Sequence, residues 1–141
     1  MFKAGGLLPF RKKEDGDIEF LLLEENRYNK QVLHVAGGRV ENSDPNIRAT
    51  IKREFIEEVG EWPLDLERRV GNATLSCPTQ GYCLATVNVS DVSEAPPENT
   101  HWVSATAPAN APLPLSWLAT RCVSQRGAVH FGPNLHRVKN A

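Results

Sequence analysis

The first forty residues alternate between apolar runs and short charged or glycine-rich stretches, the spacing expected of β-strands. Ala4–Phe10 is short and apolar, and Asp17–Glu25 holds the unbroken run Phe20 to Leu23 of a strand buried on both faces. Between them the Asp15-Gly16 pair of RKKEDGD favours a hairpin turn. Gln31–Ala36 reads as a third strand, stopped by Gly37 and Gly38. The period then lengthens. Ile47, Ile51, Phe55 and Val59 recur at intervals of four, one apolar stripe of a helix spanning Pro45–Val59. Asp44 is placed to cap that helix, Pro45 suits its first position, and Gly60 suits its left-handed stop. Beyond it, Arg68–Cys77 and Tyr82–Ser90 read as strands, the second clearly alternating. Residues 93–114 read as loop, except for a short strand in HWVSA around Trp102, and Leu115–Gln125 reads as a final helix. Strands, a helix, more strands and a last helix predict one mixed α/β domain over residues 1–141.

The predicted helix carries an anomaly. Glu54, Glu57 and Glu58 fall at positions that share a face, and Glu61 follows just past the helix end. Like charges at this spacing repel, and the last turn is where the helix dipole disfavours anions. A hard divalent cation such as Mg²⁺ removes both penalties, because it takes carboxylate oxygens and leaves positions for phosphate and water. The competing reading is a solvated surface neutralised by Arg48, Lys52 and Arg53. Upstream, Gly37 and Gly38 let backbone approach a ligand or metal closely, or form a tight turn with no ligand.

Composition narrows the alternatives. A chain of 141 residues with 40% hydrophobic and 23% charged positions is ordinary for one globular domain. The net charge of −1 provides no global field to recruit nucleic acid or anionic lipid. The exception is the stretch after Ala111, where Arg121, Arg126, Arg137 and Lys139 occur with no acid, a solvated tail or a contact for phosphate. Cys77, Cys83 and Cys122 form neither a CxxC pair nor a disulfide framework. With no signal-like or membrane-length apolar run, the expectation is a reducing, cytoplasmic setting and no membrane partner.

Taken whole, GGRVENSDPNIRATIKREFIEEVG (Gly37–Gly60) resembles the Nudix box of the Nudix hydrolases. The core REFIEEVG fits from Arg53 to Gly60, with Phe55 as the bulky apolar position. The chain departs from the pattern in four ways. Asp44 stands where the first glutamate belongs, one extra residue separates it from Arg53, Ala36 replaces a common proline, and Glu61 replaces the final aliphatic residue. The resemblance implies an α/β/α sandwich with a mixed β-sheet. It also implies Mg²⁺- or Mn²⁺-dependent hydrolysis of a phosphoanhydride in a nucleotide, or in a nucleoside diphosphate linked to another moiety. By position, Glu57 and Glu58 are implied metal ligands, with the Gly38 carbonyl beside them. Glu54 is a further ligand or the base for water, and Arg53 orients a neighbouring carboxylate. A later loop acid often joins such sites; of Asp91, Glu94 and Glu98, the last is preferred here.

For the substrate, Arg27 and Arg39 flank the proposed site and are candidates for phosphate contact or plain solvated surface. Trp62, Trp102, Trp117 and Tyr82 are candidates for stacking on a base, or for packing. The partner expected is a small nucleotide-type molecule; homodimers are common among such relatives. Two other readings stay open: a non-catalytic Nudix-like domain that binds a nucleotide or protein, and a hydrolase of capped RNA ends, for which the basic tail is the support.

Overall fold

A computed structural model of the chain describes residues 1–124. Seven strands form one mixed sheet: β1 (Ala4–Lys12), β2 (Ile18–Arg27), β3 (Lys30–His34), β4 (Ala36–Arg39), β5 (Thr74–Thr79), β6 (Tyr82–Asn88) and β7 (Thr100–Ser104). β1 lies at the centre. It pairs antiparallel with β2 and with β4, and parallel with β6. β2 also pairs with β3 and β7, and β5 closes the far side on β6. Helices α1 (Ile47–Glu58) and α2 (Leu66–Gly71) cover one face, and α3 (Trp117–Ser124) covers the other.

Strand alternation sorts the core into two layers. Leu8, Phe10, Phe20, Leu22 and Leu84 pack with Ala119, Cys122 and Val123 of α3. Their neighbours Leu7, Leu21, Leu23, Cys83 and Ala85 pack with Ile51 and Phe55 of α1 and with Leu66 and Val70 of α2. The apolar stripe at intervals of four is therefore the face that docks α1 on the sheet. The α/β/α sandwich expected from the sequence is the observed architecture.

Three local expectations need correction. Asp44 does not cap α1; Asn46 does, accepting the Ala49 N–H at 2.9 Å, because the Asp44 carboxylate is taken by Arg53 and Thr50. Arg68–Cys77 is not one strand: Leu66 and Val70, four apart, bury one face of α2, and the strand begins only at Thr74. Two carbonyls at the end of α2, of Val70 and Ala73, accept from Arg48 at 2.7 and 2.9 Å. Nor do Gly37 and Gly38 stop a strand. They belong to β4 and pair with Gly6 and Gly5 of β1, so four glycines meet across two strands. The last residue of the final helix expected from the sequence, Gln125, and the basic residues Arg126, Arg137 and Lys139 lie outside the described residues.

Candidate metal and phosphate site

The glycine ladder explains how α1 reaches the sheet. A side chain at Gly5 would collide with Ile51 and crowd Ile47, and one at Gly38 would collide with the Glu54 carboxylate. Helix and strand thus approach to the distance at which the Glu54 carboxylate lies on bare backbone. One turn along, Glu58 Oε1 accepts the Gly37 N–H at 2.7 Å. Two glutamates four residues apart are therefore seated on two consecutive glycines. Glu57 turns outward, with its side chain 56% exposed against 15% for Glu54.

Of the three helix bases, two are engaged away from this rim. Arg48 is committed to the α2 carbonyls and Lys52 pairs with Glu67 at 3.1 Å. Only Arg53 turns toward the glutamates, and it bridges two of them. Its Nε and Nη2 grip both Asp44 oxygens at 2.9 and 2.8 Å, while Nη1 reaches Glu54 at 3.0 Å and Glu57 at 3.3 Å. Nη2 also donates to the Arg39 carbonyl at 3.1 Å, tying α1 to the end of β4. This fork holds the Asp44 carboxyl well below the ordinary carboxylate range. Asp44, in the position of the first box glutamate, is thus an anchor for Arg53.

One member of the rim was missed by sequence reasoning. Glu25, near the end of β2, lies close enough to Glu58 to act on its carboxyl. Burial, with help from Glu25 and Glu54, pushes the Glu58 carboxyl up to about 7. The signal was present in the LLLEENR run, where strand alternation must turn one of two adjacent acids inward. The oxygens of Glu25, Glu54, Glu58 and the Gly38 carbonyl are hard donors of the type Mg²⁺ and Mn²⁺ take. Among the described residues no three acidic, histidine or cysteine side chains already converge as a finished cage. The crowded charge that, with burial, makes Glu58 hold a proton is also relieved by a cation, so the donor set fits one.

Beside this rim opens a cavity of about 660 Å³ that includes Gly37, Gly38, Arg27, Lys30 and Arg39 in its lining. Both arginines expected to meet phosphate therefore face one hollow next to the glutamates. Tyr82 and Trp117 line it too. The other aromatic candidates do not: Trp62 is buried with its indole N–H on the Glu94 carbonyl at 2.9 Å, and Trp102 lies under the Arg11 guanidinium at 3.9 Å. Asp91 pairs with Arg69 at 2.8 Å, a structural tie. Glu98 sits on the loop before β7, next to Asn99, whose side-chain amide reaches the Glu58 carbonyl at 3.4 Å.

A polar relay forms the back wall. Arg27 Nε binds Glu25 at 2.6 Å, and its Nη2 donates to His34 Nε2 at 3.1 Å. An arginine has only donors, so Nε2 must carry the lone pair and Nδ1 the proton, which goes to Ser116 Oγ at 2.5 Å. Burial and the Arg27 charge push His34 down to about 4, so the ring is neutral near pH 7. Against an ordinary value of 6.5, the unfolded chain binds a proton between pH 6.5 and 4 that the fold refuses. Stability contributed by His34 is therefore present above pH 6.5 and is lost as pH falls through this window. His34→Gln is expected to shrink the drop in urea-unfolding free energy between pH 7.5 and 4.5 by on the order of 2 kcal/mol relative to the parent chain.

No family model matches the sequence, and no curated protein matches it. Among solved structures, a Nudix hydrolase from M. smegmatis, RenU, superposes with a TM-score of 0.63 at 15% identity, covering 89% of this chain and 83% of that one. The NUDIX domain of Shewanella oneidensis NrtR, complexed with ADP ribose, gives 0.56 at 13% identity over 89% and 87%. The C-terminal domain of mouse MUTYH, in complex with human PCNA, gives 0.53 at 13% over 84% and 81%. At these identities the likeness establishes the fold, which is the Nudix fold.

Proposed function

We infer that the chain is a metal-dependent hydrolase that cleaves a phosphoanhydride bond in a nucleotide or in a nucleoside diphosphate linked to another moiety. One observation carries the reading. Glu54 and Glu58 are pressed onto Gly38 and Gly37 beside Glu25, at the edge of a cavity lined by Arg27, Lys30 and Arg39. The carboxylate rim and the cationic hollow meet at the glycine strand, so a phosphate chain bound in the hollow would lie against the rim.

In this reading Glu57 and Glu58 would hold Mg²⁺ or Mn²⁺ with the Gly38 carbonyl, and Glu54 would be a further ligand or the base for water. A bound divalent ion supplies neutralisation of phosphoryl oxygens and a lowered pKa for water. Arg53, donating to both from Nη1, would orient Glu54 and Glu57. Arg27, Lys30 and Arg39 neutralise the substrate's phosphates, and Glu98 is retained as a loop acid at the site's edge. Three free thiols fit a reducing, cytoplasmic setting, and among the described residues no helix is long and apolar enough to cross a membrane.

The test is a screen of the purified protein with Mg²⁺ and Mn²⁺ against ADP-ribose, nucleoside triphosphates, dinucleoside polyphosphates, nucleotide sugars and capped RNA, scored by phosphate or nucleotide release. Turnover of at least one class that is lost on chelation is expected. A second reading, a domain that binds a nucleotide without cleaving it, draws on the outward turn of Glu57 and the unfinished ligand cage. Metal-independent binding with no turnover of any probe would favour it.

A further inference from the structure

We propose that Trp117 and Tyr28 form a seat for a planar heterocyclic base at the mouth of the cavity, so that the substrate class requires a nucleobase. The inference rests on the proposed reaction only for what the phosphates do; the seat itself stands on side-chain placement. Trp117 is 71% exposed and Tyr28 95%, and both line the cavity that contains Arg27, Lys30 and Arg39. Large aromatic faces left open on one concave, cationic surface are the arrangement that stacks a base while its phosphates are neutralised beyond it.

Neither residue is there by default. Trp117 opens α3, and its position is fixed from three sides. Ser116 takes the Ala119 N–H at 3.1 Å and the His34 Nδ1–H at 2.5 Å, and its own N–H binds the Leu33 carbonyl at 2.8 Å. Arg121, one turn on, places its guanidinium 5.9 Å from the indole centroid while binding the Pro78 carbonyl at 2.7 Å. The backbone that carries the indole is thus anchored, and Arg121 lies over the ring.

Tyr28 occupies the β2–β3 turn with φ of 53°, followed by Asn29 at 63°. That turn favours Asn, Asp or Gly at both positions, and a bulky aromatic there carries a backbone cost. The cost buries nothing, since the ring is exposed, so packing does not account for it.

Ser116 adds an edge contact. With His34 Nδ1–H and Ala119 N–H both donating to its oxygen, the Ser116 hydroxyl proton is left to point elsewhere, and the residue lines the cavity. A ring with an acceptor on its edge meets that donor.

Tryptophan emission tests the seat without turnover. Of the three tryptophans, Trp62 is buried and Trp102 is covered, so ligand quenching reports chiefly on Trp117. ADP is expected to quench the emission of the full chain and inorganic pyrophosphate is not. Trp117→Phe should lose most of that quenching yet bind ADP within about threefold by calorimetry. Trp117→Ala and Tyr28→Ala should each weaken ADP about tenfold or more, with pyrophosphate binding little changed. Both side chains are exposed, so these variants should keep the parent melting temperature. If either alanine variant unfolds, the quenching lost in Trp117→Phe decides alone. Equal affinity of the parent for ADP and pyrophosphate, or ADP binding indifferent to Trp117, would overturn the seat. Turnover of diphosphates that lack a base as fast as of those that carry one would overturn it while leaving the proposed reaction intact. Base-dependent binding with no turnover would do the reverse.

Discussion

Glu58→Gln is expected to lower turnover by roughly two orders of magnitude or more while making the protein more stable above pH 7. The two effects come from one cause. Glu58 lies beside Glu25 and Glu54, and burial with those neighbours pushes its carboxyl up to about 7 from 4.5. Between those values the folded state holds a proton that the unfolded state has released. Stability from this group is therefore complete at low pH and is lost as pH rises through 7. Glutamine removes the titration and keeps an oxygen that accepts the Gly37 N–H. The variant's advantage should be near zero below pH 4.5 and on the order of 1 kcal/mol at pH 8, after allowing for solvent screening of a half-buried group. Mg²⁺ should raise the melting temperature of the parent chain at pH 8 more than that of the variant. A variant that keeps near-normal turnover would remove Glu58 from the site.

Gly38→Ala is expected to cost about two orders of magnitude in rate, with a loss of about 1–3 kcal/mol in stability. A single methyl at this position occupies the place of the Glu54 carboxylate, so the helix must lift or the side chain must turn away from the rim. Glu54 has a second partner in Arg53 to turn toward, at 3.0 Å, which is why folding should survive. Gly37→Ala is the contrast. There the methyl meets the backbone of Gly5 and Gly6 across the strand pair, which has no rotamer to change. Thermal melts should place Gly37→Ala below Gly38→Ala, whereas the activity remaining per folded molecule should be lower in Gly38→Ala.

The sequence made the chemistry more legible than the backbone that presents it. The stripe Ile47, Ile51, Phe55 and the repelling glutamates beside it could be read directly, because a helix converts spacing into a face. Gly37 and Gly38 could not, since a glycine pair signals a turn as well as a close strand contact; only Gly5 and Gly6, far away in sequence, decide between them. Asp44 was read through its neighbour Pro45 as a cap, but a bidentate arginine outcompetes a backbone N–H for its oxygens. Leu66 and Val70 were too few to announce α2, whose end is secured by Arg48 from another helix. Glu25, His34 and Ser116 were invisible as a group because the relay joins two strands and a distant helix start, and no local pattern encodes it.

The central place of β1 carries a consequence for biosynthesis. Its residues leave the ribosome ahead of their partners, and β4 follows soon enough to zip against Ala4–Leu7 and align the glycines. The parallel neighbour along the same strand is Tyr82–Asn88, so one long edge of β1 stays open, after β4 has paired, until the much later β6 has been made. During that interval an apolar strand is exposed to whatever else is nearby, and nascent chains halted before residue 82 should be held by chaperones rather than released as a stable half-domain.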